Sequence, residues 1–330
     1  MLESVDVVCD LSWGDTGKGK VSAHLARSGD YNYVARWAGG NNAGHTVYVN
    51  GKKYKTHLIP SGIFYGVKSV IGPGCVLNLK SFNEELTYLK ENGFNTKLIK
   101  VSPRAHIVTE KHIKTDEDKY GHLGTTKRGI APCYSDKMAR KGLLAKDILD
   151  KNFLFDTSKM SGRVLCEGAQ GFYLDIDWGN YPYVTSSTTL PYGACSLGFS
   201  PKKIKDIWGL AKAYDTRSGN DPFFDDMIPD DKRLSFLQKE GSEVGVTTGR
   251  KRSVNWLNLD LLLYAAGISG STHIVINKMD IFEKLDVYKL YYSGKLNTFK
   301  EISDFKNFIH EKLIKINVKN IVFSRSKHRL

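Results

Sequence analysis

The hydrophobic pattern of the chain alternates short apolar runs with segments of helical periodicity. Val5–Leu11 is a nearly continuous apolar run typical of a buried strand, and a glycine-rich loop separates it from a helix predicted over Lys18–Ala26. The same pattern predicts strands at Ser69–Ile71, Leu98–Val101, Val164–Cys166, Ile207–Leu210, His273–Ile276 and Val287–Tyr292, and helices at Ser81–Glu91, Leu257–Ala266 and Phe305–Ile314. Alternating strands and helices predict an α/β fold: a mostly parallel central sheet with helices on both faces. Ligands of such sheets bind at the carboxyl ends of the strands.

Composition is that of an ordinary globular chain. It has 330 residues, of which 41% are hydrophobic and 25% charged, and no repeat or low-complexity linker divides it, so we expect one domain over residues 1–330. The five cysteines are scattered without a C-x-x-C pair, which argues against a disulfide framework or a zinc site. No apolar run approaches the roughly 18–20 residues that span a bilayer, and the start of the chain lacks a leader pattern. We predict a cytoplasmic protein (host cytoplasm if viral) that does not contact a membrane.

The net charge of +13 indicates anionic partners. Lys and Arg are spread along the chain, and aromatic and basic residues do not interleave in the way that stacks single-stranded bases. We therefore predict a basic surface around sites for small anions rather than a nucleic-acid-binding protein.

The loop after the first strand, WGDTGKGK, has the composition of a phosphate cradle. Glycines let backbone N–H groups turn toward an anion, and the N-terminus of the following helix adds partial positive charge. Gly14 to Lys20 fits the spacing G-x-x-x-x-G-K, but Val21 follows where the phosphate-loop pattern requires Ser or Thr for magnesium. Asp15 inside the loop is a candidate metal ligand or base. The candidate phosphate-binding residues are Gly14, Thr16, Gly17, Lys18, Gly19 and Lys20.

Three further loops carry chemistry at predicted strand ends. NNAGHT places His45 in a polar glycine loop, where acid chemistry and an ordinary surface loop are about equally favoured. GTTKRGIAP offers Thr125, Thr126 and an arginine to a phosphate monoester, with Arg140 expected on the following helix. EGAQG, which contains Gln170, is followed by YPYVTSS; Gln170 suits a base edge or carbonyl, with a structural glutamine equally favoured.

Two basic motifs complete the set. In TTGRKR the paired arginines form a fork for a carboxylate or phosphate. In NKMD an aspartate can accept hydrogen bonds from the N1–H and 2-amino group of guanine, while the lysine stem packs on the ring. A regulatory GTPase would share the phosphate loop and N-K-x-D, but it would not need TTGRKR or His45, and a nucleic-acid-binding protein would not need the glycine loops.

These motifs, in this order from about Val5 to Asp280, resemble the adenylosuccinate synthetase family. The chain length is similar to that of the short archaeal and viral members. The resemblance implies a magnesium-dependent ligase that joins L-aspartate to C6 of IMP through a 6-phosphoryl intermediate, with GTP as phosphate donor. It also implies a homodimer in which Arg140 acts across the interface.

The resemblance assigns roles to residues of this chain. Asp15 removes the N1 proton of IMP, and His45 donates a hydrogen bond to the phosphate being transferred. Magnesium is held by Asp15, by the backbone near Gly44 and by phosphate oxygens. Lys18 and Gln170 act in catalysis. The purine monophosphate contacts Asn42, Thr125, Thr126, Arg140, Gln170, Thr185 and Ser218; aspartate contacts Thr247, Thr248, Arg250 and Arg252; and the base of the triphosphate contacts Lys278 and Asp280.

The chain departs from the family pattern at several positions. Thr16 stands where most members have glutamate, Lys127 replaces a glycine, and Ser218 stands where valine usually lies beside the ribose. The end of the chain, IVFSRSKHRL, lacks the Gly-Pro that helps to enclose guanine, which leaves ATP as an alternative donor. Viral relatives that use dGMP, giving a 2-amino product, share the threonine at Thr16 but generally have serine where this chain has Asp15. We favour IMP as acceptor, with dGMP as the alternative.

Overall fold

The computed structural model describes residues 1–245, 249–328 and 330. The strands are β1 (Leu2–Asp10), β2 (Tyr33–Arg36), β3 (His45–Val49), β4 (Lys52–Thr56), β5 (Lys68–Ile71), β6 (Val76–Asn78), β7 (Ile99–Val101), β8 (His106–Val108), β9 (Gly162–Glu167), β10 (Ile204–Lys212), β11 (Tyr214–Arg217), β12 (Ser253–Asn258), β13 (His273–Asn277), β14 (Tyr288–Tyr292), β15 (Lys295–Phe299) and β16 (Asn320–Phe323). The α-helices are α1 (Lys18–Arg27), α2 (Leu79–Glu91), α3 (Glu110–Tyr120), α4 (Ile130–Met138), α5 (Pro222–Asp225), α6 (Lys232–Glu240), α7 (Leu259–Ser269), α8 (Met279–Phe282) and α9 (Ile302–Ile314).

A parallel sheet of eight strands forms the centre of the molecule, in the order β16-β13-β10-β1-β9-β2-β5-β7. The middle strand β1 pairs in parallel with β10 on one side and β9 on the other, so that Val7 lies opposite both Ile207 and Cys166. The interior of β1 is buried on both faces, which explains its nearly continuous apolar run. The predicted α/β class with a mostly parallel sheet is confirmed.

A smaller sheet, β11-β12-β14-β15, packs beside the large one and builds the largest apolar cluster. Trp256, Phe282 and Phe305 are fully buried there, and Phe282 and Phe305 lie with ring centroids 4.8 Å apart. A second cluster around Phe82 on α2 covers another part of the large sheet. Loops follow the carboxyl ends of the central strands β1, β9 and β2.

The structure corrects three details predicted from the sequence. The helix predicted over Leu257–Ala266 begins two residues later, because the side chain of Asn258 caps it by accepting from the Leu261 N–H at 3.1 Å. The strand predicted at Val287–Tyr292 belongs to the smaller sheet rather than the central one. Arg140 does not lie on a helix, since α4 ends at Met138 and Arg140 adopts a left-handed φ of 60°. No helix in the described ranges is long and apolar enough to cross a membrane.

Candidate active site

Asp10, at the end of β1, organises the loop that follows it. Its fully buried carboxylate accepts from the backbone N–H of Ser12 at 2.9 Å, of Gly14 at 3.2 Å and of Thr16 at 3.2 Å, and also from the Thr16 hydroxyl. The loop can wrap around one side chain because Gly14 (φ 90°) and Gly17 (φ 99°) adopt left-handed conformations that favour glycine. The cradle predicted from glycine content is therefore built around a buried anion.

The two lysines of this loop serve different neighbours. Lys18 donates to Asp10 at 2.9 Å and to the backbone oxygen of Gln170 at 2.5 Å. Lys20 points away, to Asn277 Oδ1 at 2.5 Å and the Ser324 hydroxyl at 2.8 Å. Burial lowers the pKa of Lys20 to about 8, a decrease that the charge of Asp280 opposes. Lys18 thus belongs to the centre of the site, and Lys20 ties the loop to the NKMD segment.

His45, the first residue of β3, is buried between two charged side chains. Its Nδ1 lies 2.5 Å from Glu167 Oε1, and its Nε2 lies 2.9 Å from a guanidinium nitrogen of Arg36. Burial and the charge of Arg36 lower the pKa of His45 to about 4, so its imidazole is neutral at pH 7. Burial alone raises the pKa of Glu167, but His45, Arg36 and the Ser61 N–H outweigh it and lower that pKa to about 2. Both ring nitrogens face protein groups, so Nε2 can donate to a ligand only after the ring turns away from Arg36.

One cavity of about 380 Å³ brings half of the predicted residues together. It is lined by these members of the predicted set: Gly14, Asp15, Lys18, Asn42, Gly44, His45, Thr125, Thr126, Gln170, Thr185 and Ser218. Within the described residues, Gln170 Oε1 and Ser218 Oγ are buried atoms without a hydrogen-bond partner. Buried polar atoms are normally satisfied, so these two are available to a ligand in the cavity.

The arginines of TTGRKR approach the cavity from a neighbouring loop. Arg250 donates to the backbone oxygens of Gly124 at 2.9 Å and Thr125 at 3.3 Å, which line the cavity. Arg252 forms an ion pair with Asp15 at 2.8 Å. Thr247 and Thr248, predicted to bind aspartate, lie outside the described residues. Arg252 therefore adjoins the predicted base, and Arg250 adjoins the loop that carries Thr125.

Asp15 is also the predicted metal ligand. Among the described residues no group of three or more His, Cys, Asp or Glu side chains could hold a metal by itself. Magnesium, however, is commonly bound by one or two carboxylates together with substrate phosphates. Asp15, at a φ of 58°, lines the cavity beside the phosphate loop and Gly44, so the residues present fit such an ion.

The NKMD segment packs against the outer side of the phosphate loop. The Asn277 side chain donates to the backbone oxygen of Thr16 at 2.6 Å. Lys278, with a left-handed φ of 66°, donates to the backbone oxygen of Gly241 at 2.6 Å, and Asp280 follows in the first turn of α8. The predicted residues that do not line the 380 Å³ cavity are Thr16, Gly17, Gly19, Lys20, Arg140, Arg250, Arg252, Lys278 and Asp280.

Sequence reasoning did not single out three residues that organise the site. Asp10, Arg36 and Glu167 are buried charged residues at the last positions of β1, β2 and β9. The available signal was a charged residue that closes an apolar strand just before a glycine-containing loop. Such a residue is costly to bury unless it is paired, so its position at a strand end indicates a site.

Together, the open carboxyl edge of a parallel sheet and its phosphate loop define a nucleotide-binding α/β enzyme. The family model of adenylosuccinate synthetase matches residues 7–160 and 151–305. The chain therefore belongs to the adenylosuccinate synthetase family, ligases of purine biosynthesis that form a C–N bond. The resemblance drawn from the motifs is confirmed.

Known relatives agree with this assignment. The adenylosuccinate synthetase of Lysinibacillus sphaericus is 38% identical over 86% of this chain and 79% of its own, and that of Carboxydothermus hydrogenoformans is 38% identical over 92% and 84%. A fully ligated adenylosuccinate synthetase from Plasmodium falciparum superposes with a TM-score of 0.84 at 28% identity, covering 99% of this chain and 98% of that one. The succinoaminodeoxyadenylate synthetase of cyanophage S-2L shares the fold, with a TM-score of 0.76 at 18% identity over 99% and 94%.

Replacing Asp10 by Asn should destabilise the protein strongly. The change removes the negative charge that Lys18 contacts at 2.9 Å, and an unpaired buried charge costs about 3–5 kcal/mol. Urea unfolding of the wild type and variant measures the loss. The control is Asp30→Asn, whose side chain is 61% exposed beside Arg163 and should cost about 0–1 kcal/mol. Equal losses in the two variants would show that Asp10 does not hold the loop together.

The buried neutral His45 makes stability depend on pH. In the unfolded chain the pKa of His45 is the usual histidine value of 6.5, whereas in the folded protein it is about 4. Between these values the unfolded state binds more protons, so stability falls as the pH falls. From about pH 7 to about pH 5 the wild type should lose about 2 kcal/mol more than a His45→Gln variant.

The comparison requires urea unfolding of both proteins at both pH values. Burial also raises the pKa of Glu85 to about 7, but Glu85 is present in both proteins and its contribution cancels in the difference. Parallel losses in the two proteins would contradict a buried, neutral His45.

Proposed function

We propose that this chain joins the amino group of L-aspartate to C6 of IMP, with GTP as the phosphate donor and Mg²⁺ as the required ion. The observation that carries the proposal is the cavity in which Asp15, His45, Thr126, Gln170 and Thr185 meet, although they come from five separate segments of the chain. A phosphate loop alone fits many nucleotide enzymes, whereas this combination with an adjoining arginine clamp fits an acceptor nucleotide and a dicarboxylate together.

The acceptor nucleotide occupies the cavity. Thr125 and Thr126, in the loop between α3 and α4, provide hydroxyls for its phosphate, and Asn42 also lines the cavity. Gln170 offers its unpartnered side-chain oxygen to the purine, and Ser218 offers its hydroxyl to the ribose. Thr185 adds a further hydroxyl.

The phosphate donor binds along the outer side of the loop. The Lys18 ammonium and backbone N–H groups of the loop other than those of Gly14 and Thr16, which donate to Asp10, hold its phosphates, and Lys278 and Asp280 recognise its base. The hydrogen bond from Asn277 to Thr16 supports this arrangement, because it ties the base-reading segment to the phosphate-binding loop. GTP is the donor that Asp280 favours, and ATP is the alternative because the final residues lack Gly-Pro.

L-Aspartate binds where the arginines approach the cavity. Arg250 and Arg252 take its carboxylates, together with Thr247 and Thr248. Arg252 already pairs with the carboxylate of Asp15 at 2.8 Å, which supports a site built for that group.

The chemistry follows from these positions. Asp15 takes the N1 proton of IMP, O6 attacks the γ-phosphorus, and GDP leaves. The amine of aspartate then attacks C6 and phosphate leaves with the O6 oxygen. His45, turned away from Arg36, donates to the transferred phosphate. Mg²⁺ held by Asp15 and the backbone at Gly44 would neutralise phosphate charge. Before these steps Asp15 must exchange its pairing with Arg252, which the carboxylate of aspartate can take over.

The active unit in this proposal is a cytoplasmic homodimer of single-domain subunits. Arg140 does not line the cavity of its own chain and lies beyond the end of α4 in an exposed turn. This position supports a role for Arg140 at the purine monophosphate of a second subunit. The cysteines are all free thiols, which fits a reducing compartment.

An endpoint assay by mass spectrometry tests the function. The purified protein receives L-aspartate, Mg²⁺ and GTP or ATP, with IMP and dGMP as competing acceptors. We expect a succinylated product from IMP. A product from dGMP instead would assign the chain to the 2-aminoadenine pathway, the second candidate, which Thr16 favours. No succinylated product from either acceptor would reject both.

The same assay tests the proposed base with Asp15→Asn. This variant keeps the shape of the side chain but cannot accept the N1 proton, so product should fall at least a thousandfold relative to the wild type, in the range of a lost catalytic group. Near-normal product from Asp15→Asn would require another base.

Arg250→Leu should raise the KM for aspartate about 10–100-fold, since it removes one charge-assisted hydrogen bond to a carboxylate. The KM values for the two nucleotides should change less than threefold, which is well below the change expected for aspartate. Lys251→Leu is the matched control, because this neighbouring cation is also exposed. Steady-state kinetics in each substrate separates the effects, and a uniform rise in all three KM values would argue against a carboxylate clamp.

A further inference from the structure

Glu243 is a fully buried carboxylate next to the site, and the proposed chemistry gives it no role. It follows α6 and stands at the base of the loop that carries the arginine clamp, where its backbone oxygen accepts from the Arg252 N–H at 3.0 Å. Its side chain is 0% exposed and does not line the cavity. A buried carboxylate of this kind is costly unless it is paired.

Three cations converge on this one side chain. Glu243 Oε2 lies 2.5 Å from Arg252 and 3.2 Å from the Nζ of Lys212, and Oε1 lies 3.5 Å from the Nζ of Lys278. The Tyr214 hydroxyl donates to Oε1 at 2.8 Å. Burial alone raises the pKa of Glu243, but Lys212, Lys278 and Arg252 together lower it to about 2, so the group is a carboxylate at pH 7.

The partners of Glu243 come from different parts of the proposed site. Arg252 belongs to the aspartate clamp and pairs with Asp15 through its other nitrogen, while Lys278 belongs to the segment that reads the base of the donor. Lys212 closes β10 between them and is buried. Without Glu243, three positive charges would repel one another, and Arg252 and Lys278 would lose the one carboxylate that they share.

We propose that Glu243 is a positioning residue that links the carboxylate clamp to the nucleotide donor site by holding Arg252 and Lys278 on one carboxylate. This inference rests on the proposed function. It predicts that loss of the Glu243 charge weakens the binding of aspartate and of the donor together, although these substrates contact different loops. The acceptor should be spared, because its contacts come from the Thr125, Gln170 and Thr185 loops.

The test compares Glu243→Gln with the wild type in steady-state kinetics. The KM values for L-aspartate and for the nucleoside triphosphate should each rise at least tenfold, while the KM for the purine monophosphate changes less than threefold. Glu240→Gln is the matched control: Glu240 is the last residue of α6, is exposed and pairs with Lys284 at 3.1 Å. That variant should leave all three KM values unchanged. Calorimetric titration of each protein with the nucleoside triphosphate, in the presence of Mg²⁺, compares the affinity for the donor without turnover.

The outcomes separate this inference from the proposed function. If the wild type yields no succinylated nucleotide, the proposed function is wrong. If the wild type is active but Glu243→Gln lowers only kcat and leaves all three KM values unchanged, Glu243 does not link the two binding sites and the inference is overturned. Should Glu243→Gln fail to fold, Glu243→Asp keeps the charge but withdraws it by one methylene. The KM values of Glu243→Asp for L-aspartate and for the nucleoside triphosphate must then rise while that for the purine monophosphate does not. An equal change in all three KM values would overturn the inference.

Discussion

The site depends on one constraint: parallel strands end at the same edge of a sheet, and here the last residues of five of the eight strands are charged or polar. Asp10, Arg36, Glu167, Lys212 and Asn277 close β1, β2, β9, β10 and β13, and all are buried. Desolvating these groups is costly, so each must find a partner near the same edge. Asp10 pairs with Lys18 and both Arg36 and Glu167 contact His45, which are residues that line the cavity, whereas Lys212 pairs with Glu243 beside it. The location of the site therefore follows from the strand order, and the loop conformations follow from the need to satisfy these side chains.

Backbone conformation at the site shows how tightly the loops are determined. Asp15, Gln170 and Lys278 all have a positive φ without being glycine, a conformation that costs roughly 1–2 kcal/mol per residue. Each lies immediately beside a group anchored at a strand end: Asp15 in the loop around Asp10, Gln170 with its backbone oxygen on Lys18, and Lys278 after Asn277. Hydrogen bonds to the buried anchors offset this strain, and the proposed chemistry uses all three of these residues.

The sequence predicted the class of fold and the location of the site, because apolar periodicity and glycine loops are local signals. Strand β1, the phosphate loop and helix α1 lie where the pattern predicted them. It did not predict the pairing of Asp15 with Arg252 or of His45 with Glu167, since these residues are 237 and 122 positions apart and meet only through the order of the strands. The start of α7 was missed because Asn258 acts both as a strand residue and as a cap. Arg140 was placed on a helix because its left-handed turn has no sequence signal comparable to glycine.

The charged side chains of the proposed site pair with one another. Arg252 pairs with the carboxylate of Asp15, and His45 contacts the guanidinium of Arg36. In the proposed function, however, Arg252 and His45 contact groups of the substrates. In the proposed mechanism a substrate group replaces a protein partner of each side chain. The net free energy of that contact is therefore the difference between the contact with the substrate and the contact with the protein partner. The exchange also orders events. In the proposed mechanism a substrate carboxylate on Arg252 would release Asp15 for the purine, which would connect occupancy of the aspartate clamp to the availability of the base. A site with uncompensated charges would bind each substrate independently, whereas internal pairing makes one substrate alter the site of another.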